Sequence, residues 1–133
     1  MEGKKVVYIS GPITGVENYR AVFKQAEDDL AALGYAVLNP ATLPGGMTNA
    51  QYMRICMAML DCADAIVLLP GWGASDGAAL EKDYARYTEM PRASYRVKSP
   101  LGNHVMDATE RRAWLHFGLT DAFNWAPKQG VLY

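Results

Sequence analysis

The residues of this chain that are best suited to chemistry follow an apolar run at residues 65–69. A glycine-rich turn comes next, and then a predicted helix with Ser75 just before its start and Glu81 in its first turns. Amide groups at the start of a helix attract anions, because the helix dipole places partial positive charge there. The pattern therefore predicts a pocket that holds an anionic sugar between the Ser75 hydroxyl, the first helix amides and the Glu81 carboxylate.

Glu81 follows Gly77 by one helical turn, so its side chain leans back toward the start of the helix. Glycine at position 77 lets a ligand approach the backbone closely. A carboxylate in this place could add to the anomeric carbon of a sugar and form a covalent glycosyl-enzyme. The alternative is a solvated helix acid beside Lys82 and Asp83, and the spacing by itself leaves both interpretations open.

Several other kinds of site do not fit the sequence. The loop at residues 11–15 lacks the Gly-Lys-Ser/Thr of a P-loop, and the glycine after residues 71–73 comes one position too late for the dinucleotide pattern. The only histidines, His104 and His116, have no spacing that suits zinc. Ser75 lacks the sharp turn of a serine nucleophile. We therefore expect neither a metal nor an organic cofactor.

Strand-like and helix-like segments alternate along the chain, as in parallel α/β sheets with right-handed crossovers. Runs of β-branched and aromatic residues predict strands at residues 6–10, 35–38 and 65–69. Apolar spacing predicts helices after Asn18, after Thr48 and over residues 77–88. We therefore predict one small doubly wound α/β domain, Rossmann-like or flavodoxin-like, that comprises residues 1–133.

The second helix begins with a capping box formed by Thr48 and Gln51. It is expected to end near Cys62 and to bury one face, made up of Tyr52, Ile55, Cys56, Met59 and Leu60.

The pattern weakens from about residue 91 onward. Residues 95–97 are predicted as a fourth strand, and Asp107 with Glu110 is predicted to cap a last helix that bears Trp114, Leu115 and Phe117. The tail at residues 124–133 is predicted to be irregular.

The composition limits the classes of partner that the protein is expected to bind. With 13 basic and 14 acidic side chains the formal charge is −1, which does not favour a nucleic-acid polymer or an anionic membrane. No apolar run approaches the ~20 residues that span a bilayer, and no signal peptide is recognisable. Cys56 and Cys62 lie six positions apart in one helix, so we expect two reduced, buried thiols in a cytoplasmic protein.

A family resemblance adds to these inferences. The chain reads YISGPITG at residues 8–15, Leu-Asn-Pro at 38–40, ADAIVLLPGW at 63–72 and Ser-x-Gly-x-x-x-Glu at 75–81. In order and spacing these motifs resemble the nucleoside 2-deoxyribosyltransferase superfamily, and in particular a compact branch common in phages and prophages. The resemblance covers about residues 5–90 and fades beyond them.

The resemblance implies roles for individual residues. Glu81 falls on the position of the family's catalytic glutamate, which attacks C1′ of a 2-deoxyribosyl group, and Tyr8 falls where relatives place a residue that orients that carboxylate. Position 75 is aspartate in relatives that act on free nucleosides and serine in those that hydrolyse nucleoside 5′-monophosphates. Ser75 therefore points to a 5′-monophosphate, although Thr14 stands where some phosphate-binding relatives have arginine.

Other substrate contacts are expected at the carboxyl ends of the strands, where doubly wound sheets bind ligands. These expected contacts are Ser10, Gly11, Pro12 and Asn39, together with Trp72 for stacking on the base. Asn39 could equally cap a turn, and Trp72 and Tyr19 could equally belong to the core or to a lid. The resemblance also implies a homodimer or a higher homo-oligomer.

Three functions remain from the sequence, and one of them is a structural or interaction protein that keeps only the scaffold. The first is cleavage or transfer at the N-glycosidic bond of a (deoxy)nucleoside 5′-monophosphate, with Glu81 as nucleophile. The alternative is a non-catalytic module on the same fold that binds or senses a nucleotide, which the divergent C-terminal third and Thr14 favour.

Overall fold

A computed structural model describes residues 3–124 as four strands that alternate with four helices. All strand pairs of the sheet are parallel, and the strand order is β2-β1-β3-β4, as in flavodoxin-like folds. This confirms the predicted doubly wound α/β fold. The elements are β1 Val6–Ser10, α1 Tyr19–Ala32, β2 Ala36–Leu38, α2 Asn49–Asp61, β3 Ala65–Leu68, α3 Asp76–Tyr87, β4 Arg92–Ser94 and α4 Ala108–Phe123.

Strand β1 divides its side chains between two cores, because successive side chains of a strand point to opposite faces of a sheet. Val7 and Ile9 pack into the core that α1 and α4 cover. Tyr8 packs into the other core, together with Cys56 of α2 and Ala85 of α3. The face that carries Tyr8 is therefore the face of α2 and α3.

The strand order reverses between β1 and β3, and ligands bind in such sheets at the carboxyl ends of the strands at this point. The backbones are close here, since the Leu69 amide donates a 2.8 Å hydrogen bond to the Ser10 carbonyl. A Cβ atom on Gly11 would lie only 2.8 Å from Cβ of Leu69. Glycine at position 11 is thus required for the chain to leave β1 at this place.

The caps predicted from the sequence are confirmed. Thr48 and Gln51 form a reciprocal capping box at the start of α2. Asp107 and Glu110 form a second one at the start of α4. These boxes satisfy amide groups that a helix start otherwise leaves unpaired.

The fourth strand is Arg92–Ser94, so the prediction of a strand at residues 95–97 is wrong by three positions. The Tyr95 amide still donates to the Leu68 carbonyl, but the Tyr95 side chain leaves the sheet as a buried anchor. Its hydroxyl donates a 2.6 Å hydrogen bond to Asp29 of α1. The aromatic residue that indicated a strand therefore belongs to the core beside it.

Two burial predictions for α2 are also wrong. Ile55 is 36% exposed, because it lies on the solvent side of the helix. Cys62 caps the C-terminal end of α2 and is exposed, whereas Cys56 is buried. Both thiols are free, as expected. In the last helix Leu115 is buried, whereas Trp114 and Phe117 are 38% and 66% exposed.

Asp29 joins α1 to α4 through a buried ion cluster. Its carboxylate accepts hydrogen bonds from Arg111 at 2.9 Å and from Arg112 at 3.0 Å, in addition to the bond from Tyr95. Each carboxylate oxygen has a charged partner, as burial of a charge demands. The cluster fixes α4 against the sheet face that lies opposite Tyr8.

Within residues 3–124 no helix is both long enough and apolar enough to cross a membrane. The irregular tail predicted at residues 124–133 lies outside the described residues, apart from Asn124, which caps the end of α4.

Candidate active site

A cavity of about 690 Å³ lies at the carboxyl ends of the strands. Three connections border it: the loop after β1, the segment after β2 and the start of α3 after β3. Helix α2 closes the remaining side. This is the crevice that the fold predicts for a ligand. Its walls include Gly11, Pro12, Thr14, Tyr19, Leu43, Asn49, Tyr52, Met53, Cys56, Ser75, Asp76, Gly77 and Leu80, with Tyr8 and Glu81.

The Glu81 carboxylate lies at this cavity and is otherwise buried, since the residue is only 5% exposed. The Tyr8 hydroxyl donates a 2.6 Å hydrogen bond to Oε2, and the Ser10 hydroxyl donates a 2.8 Å hydrogen bond to Oε1. Both donors come from β1, where residues 8 and 10 share one face of the sheet. The interpretation of Glu81 as a solvated helix acid is therefore wrong.

The electrostatics of this carboxylate reflect two opposing effects. Burial raises the pKa of Glu81, because a low-dielectric environment disfavours the charged form. The hydrogen bonds from Tyr8 and Ser10 lower its pKa and so oppose that rise. Burial, and then the nearby Glu81 carboxylate, raises the pKa of Tyr8 far above its usual range. Tyr8 thus stays a phenol and a permanent donor to Glu81.

Cys56 lies next to the pair formed by Tyr8 and Glu81. From the sequence it was expected only to be part of the core. Its side chain belongs to the same core cluster as Tyr8 and also lines the cavity. Burial, and then the charge of Glu81, raises the pKa of Cys56, while the contact with Tyr8 lowers it. The group is therefore held as a thiol behind the pair formed by Tyr8 and Glu81.

Ser75 lies at the opposite end of the same wall. It is the N-cap of α3, and its hydroxyl oxygen accepts a 3.3 Å hydrogen bond from the Ala78 amide. The amides of Asp76 and Gly77 precede the first hydrogen bonds within the helix, so they remain available to a ligand. Glu81 follows Gly77 by four residues, which is about 6 Å along the helix axis at 1.5 Å per residue.

Six of the predicted site residues line the cavity. They are Tyr8, Gly11, Pro12, Ser75, Gly77 and Glu81. The remaining three, Ser10, Asn39 and Trp72, are absent from the lining formed by the described residues.

Each of these three residues has a structural partner instead. Ser10 is fully buried behind Glu81. Asn39 is buried and its side-chain oxygen accepts a 2.9 Å hydrogen bond from the Ala41 amide, which caps a short 3₁₀ turn. Trp72 packs against the core on the α2–α3 side, with the Lys82 ammonium 5.5 Å from its ring centroid.

Sequence reasoning did not assign Tyr52, Met53 and Asn49 to the site, and it assigned Asp76 only through its backbone amide. Tyr52 stands out among them because its hydroxyl donates a 2.6 Å hydrogen bond to the Pro44 carbonyl. It thereby attaches the glycine-containing loop after β2 to α2. The capping box at the start of α2 marks where this wall of the cavity begins. It was the one signal in the sequence that could have indicated these lining residues.

The charges on the cavity wall are of one sign. Among the lining residues that the structure describes, Asp76 and Glu81 carry carboxyl groups, and none is lysine, arginine or histidine. Arg20 lies outside the lining, with its guanidinium 5.3 Å from the ring of Tyr19. Within residues 3–124 no group of three or more His, Cys, Asp or Glu side chains is arranged to hold a metal ion.

Comparison with known proteins gives a family. The chain belongs to the family described as DUF4406, a domain of unknown function, which matches residues 5–92. No curated protein matches the chain. The matched residues contain β1, α2, β3 and α3, so every described residue of the cavity wall lies within the family domain. Helix α4 lies outside it.

Proposed function

We propose that this protein cleaves, or transfers a group at, the N-glycosidic bond of a (deoxy)nucleoside 5′-monophosphate, with Glu81 as the nucleophile. The observation that carries the proposal is the buried Glu81 carboxylate, oriented by two hydroxyl donors and open to a cavity of about 690 Å³. The motif resemblance to the nucleoside 2-deoxyribosyltransferase superfamily supports the same reaction. The resemblance implies that Glu81 is the nucleophile, and Glu81 is the carboxylate that lies buried at the cavity.

The reaction has two steps in this proposal. A Glu81 carboxylate oxygen attacks C1′ of the sugar, the C1′–N bond breaks, and its electron pair leaves with the base. Water, or a second base, then attacks C1′ and releases Glu81. Tyr8 and Ser10 are positioning residues, because their hydroxyls hold the Glu81 carboxylate through hydrogen bonds. A fixed nucleophile avoids the entropic cost of aligning a free side chain.

The start of α3 would hold the 5′ end of the substrate. The Asp76 and Gly77 amides and the Ser75 hydroxyl supply hydrogen-bond donors, and the helix dipole favours a negative group there. A serine at position 75 avoids the repulsion between an aspartate and a phosphate, about 1 kcal/mol for two like charges 4 Å apart in water and more when they are desolvated. Arg20, which stacks on the lining residue Tyr19, is a candidate for an additional phosphate contact.

Base release from a panel of nucleoside and deoxynucleoside 5′-monophosphates tests the proposal, with the separated base quantified by chromatography. The Glu81→Gln variant keeps the shape of the side chain and removes the nucleophile, so we expect a loss of at least ~10³-fold in rate. Asp83→Asn is the matched control, since it neutralises an exposed carboxylate on the same helix. Equal rates for wild type and Glu81→Gln would contradict the mechanism. Stable nucleotide binding without any turnover would instead identify a binding module.

A further inference from the structure

The charge of the cavity wall limits which nucleotide can enter it. Asp76 and Glu81 bring two carboxyl groups, and the described lining contains no cationic side chain. A 5′-phosphate adds roughly −1.5 to −2 charges at neutral pH. An ordinary mononucleotide therefore brings only negative charge to a wall that already carries it, and hydrogen-bond donors at the start of α3 offset this only in part.

Two tyrosine hydroxyls at the cavity are not free to protonate a departing base. A neutral base leaves as an anion unless an acid protonates it. The hydroxyl of Tyr8 is already committed to Glu81, and that of Tyr52 is committed to the Pro44 carbonyl. Asp76 is exposed in the first turn of α3, where the helix dipole interacts favourably with a negative charge. The arrangement thus suits a leaving group that needs no proton.

Aromatic side chains form part of the same wall. Tyr19 and Tyr52, both partly exposed, line it together with the apolar side chains of Leu43 and Met53. Flat, positively charged rings bind well against tyrosine faces, through stacking and cation–π attraction. Asp76 adds a carboxylate at the rim.

We propose that the substrate is a nucleotide whose base carries a positive charge at the glycosidic nitrogen, such as a pyridinium or an N-alkylated purine. The inference rests on the proposed function and names the substrate class of that same site. The base supplies the positive charge that the cavity wall lacks. When Glu81 attacks C1′, the electron pair of the C1′–N bond moves to the ring nitrogen, which becomes neutral, so no proton is transferred to the base. Water then attacks C1′, the ester bond to Glu81 breaks, and one proton passes to solvent.

A pair of probes that differ in ring charge tests this. Nicotinamide mononucleotide has a pyridinium ring, and its 1,4-dihydro form is neutral with nearly the same shape. Both are titrated into the inactive Glu81→Gln variant by calorimetry, which separates binding from chemistry. We expect the pyridinium form to bind about fivefold tighter, as a partly screened charge pair implies. Combining Glu81→Gln with Asp76→Asn should remove the difference in affinity between the two probes. Combining it with Asp83→Asn should leave that difference unchanged.

Turnover by the wild-type protein completes the test. Faster base release from the pyridinium mononucleotide than from AMP, UMP or their deoxy forms, together with the binding preference, supports the inference. Equal binding of the two probes, or Glu81-dependent release that favours the ordinary mononucleotides, overturns the inference and leaves the proposed function standing. If the wild-type protein binds the probes but releases no base from any substrate, the proposed function fails and the inference fails with it.

Discussion

The Tyr8 hydroxyl donates a 2.6 Å hydrogen bond to Oε2 of Glu81, a residue 73 positions later in the chain. The bond joins the central strand β1 to helix α3 across the face that α2 also covers. With the Ser10 hydroxyl on Oε1, it leaves the carboxylate one orientation. Two donors on alternate positions of a rigid strand are a stable way to aim a nucleophile, because strand side chains two apart point the same way.

Replacing Glu81 by glutamine is expected to stabilise the fold at neutral pH. Burial raises the pKa of Glu81 in the folded state, so folding favours the protonated form, and this stabilisation is lost as the pH rises through the raised pKa. Glutamine mimics the protonated form at every pH. Thermal unfolding of wild type and Glu81→Gln should show a higher Tm for the variant at pH 7.5 and a smaller difference near pH 4.5, the ordinary value. A lower Tm at pH 7.5 would contradict this, whereas Asp83→Asn should change Tm little at either pH.

Removing the Tyr8 hydroxyl should raise the pKa of Glu81 further. The hydrogen bond from Tyr8 lowers that pKa, so Tyr8→Phe leaves burial opposed by Ser10 alone. The loss of a donor to a buried carboxylate should cost about 1–3 kcal/mol in unfolding free energy at neutral pH. A carbon-13 NMR titration of the side-chain carboxyl measures the pKa directly and needs no enzymatic activity.

Tyr52→Phe is the matched control for that titration. Its hydroxyl also borders the cavity but donates to the Pro44 carbonyl and not to Glu81. The Glu81 titration should therefore be unchanged in Tyr52→Phe. An equal shift in both variants would mean that the cavity as a whole, and not the hydrogen bond, sets the pKa.

The two cysteines should differ in reactivity toward thiol reagents. Cys62 is exposed, whereas Cys56 is buried and burial raises its pKa, which lowers the fraction of reactive thiolate. We expect Cys62 to react at least ~10-fold faster with iodoacetamide, as intact mass and peptide mapping would show. A nucleotide bound in the cavity should slow only Cys56. Equal protection of both would point to a general change in stability.

Neutralising Asp29 should destabilise the protein strongly. Asp29→Asn leaves the partly buried Arg111 and Arg112 guanidinium groups without their shared carboxylate, and breaking such a pair typically costs about 3 kcal/mol or more. Asp28→Asn removes an exposed partner of Lys24 on the same helix and should cost less than ~0.5 kcal/mol. Chemical unfolding measures both. Similar losses would mean that the buried cluster contributes no more than a surface pair.

Much of the fold was predictable because its signals are local. Caps at Thr48 and Asp107 depend on residues three positions apart, and the central strand β3 is a fully buried apolar run. Strand β4 was misplaced because only Ala93 of its three residues is buried. An edge strand of this kind carries no apolar alternation, and the aromatic signal came from Tyr95 beside it.

The candidate site was predictable to the extent that one helix determines it. The spacing of Ser75, Gly77 and Glu81 places all three on one wall. Tyr52 and Cys56 could not be assigned from the sequence, because a helix face that lines a cavity has the same apolar spacing as one that packs a core. Ile55 shows the limit of that spacing, since it fits the pattern and yet faces solvent.

The alternation of β1 has a consequence for how this family domain can evolve. Val7 and Ile9 serve one core while Tyr8 and Ser10 serve Glu81 on the other side. Conservative apolar exchanges at Val7 and Ile9 preserve this arrangement. Inserting or deleting a single residue between positions 6 and 10 would instead exchange the two sets. Hydroxyl groups would then face the apolar core, and aliphatic side chains would face Glu81. We expect natural variants of this strand to drift in residue type while keeping their length.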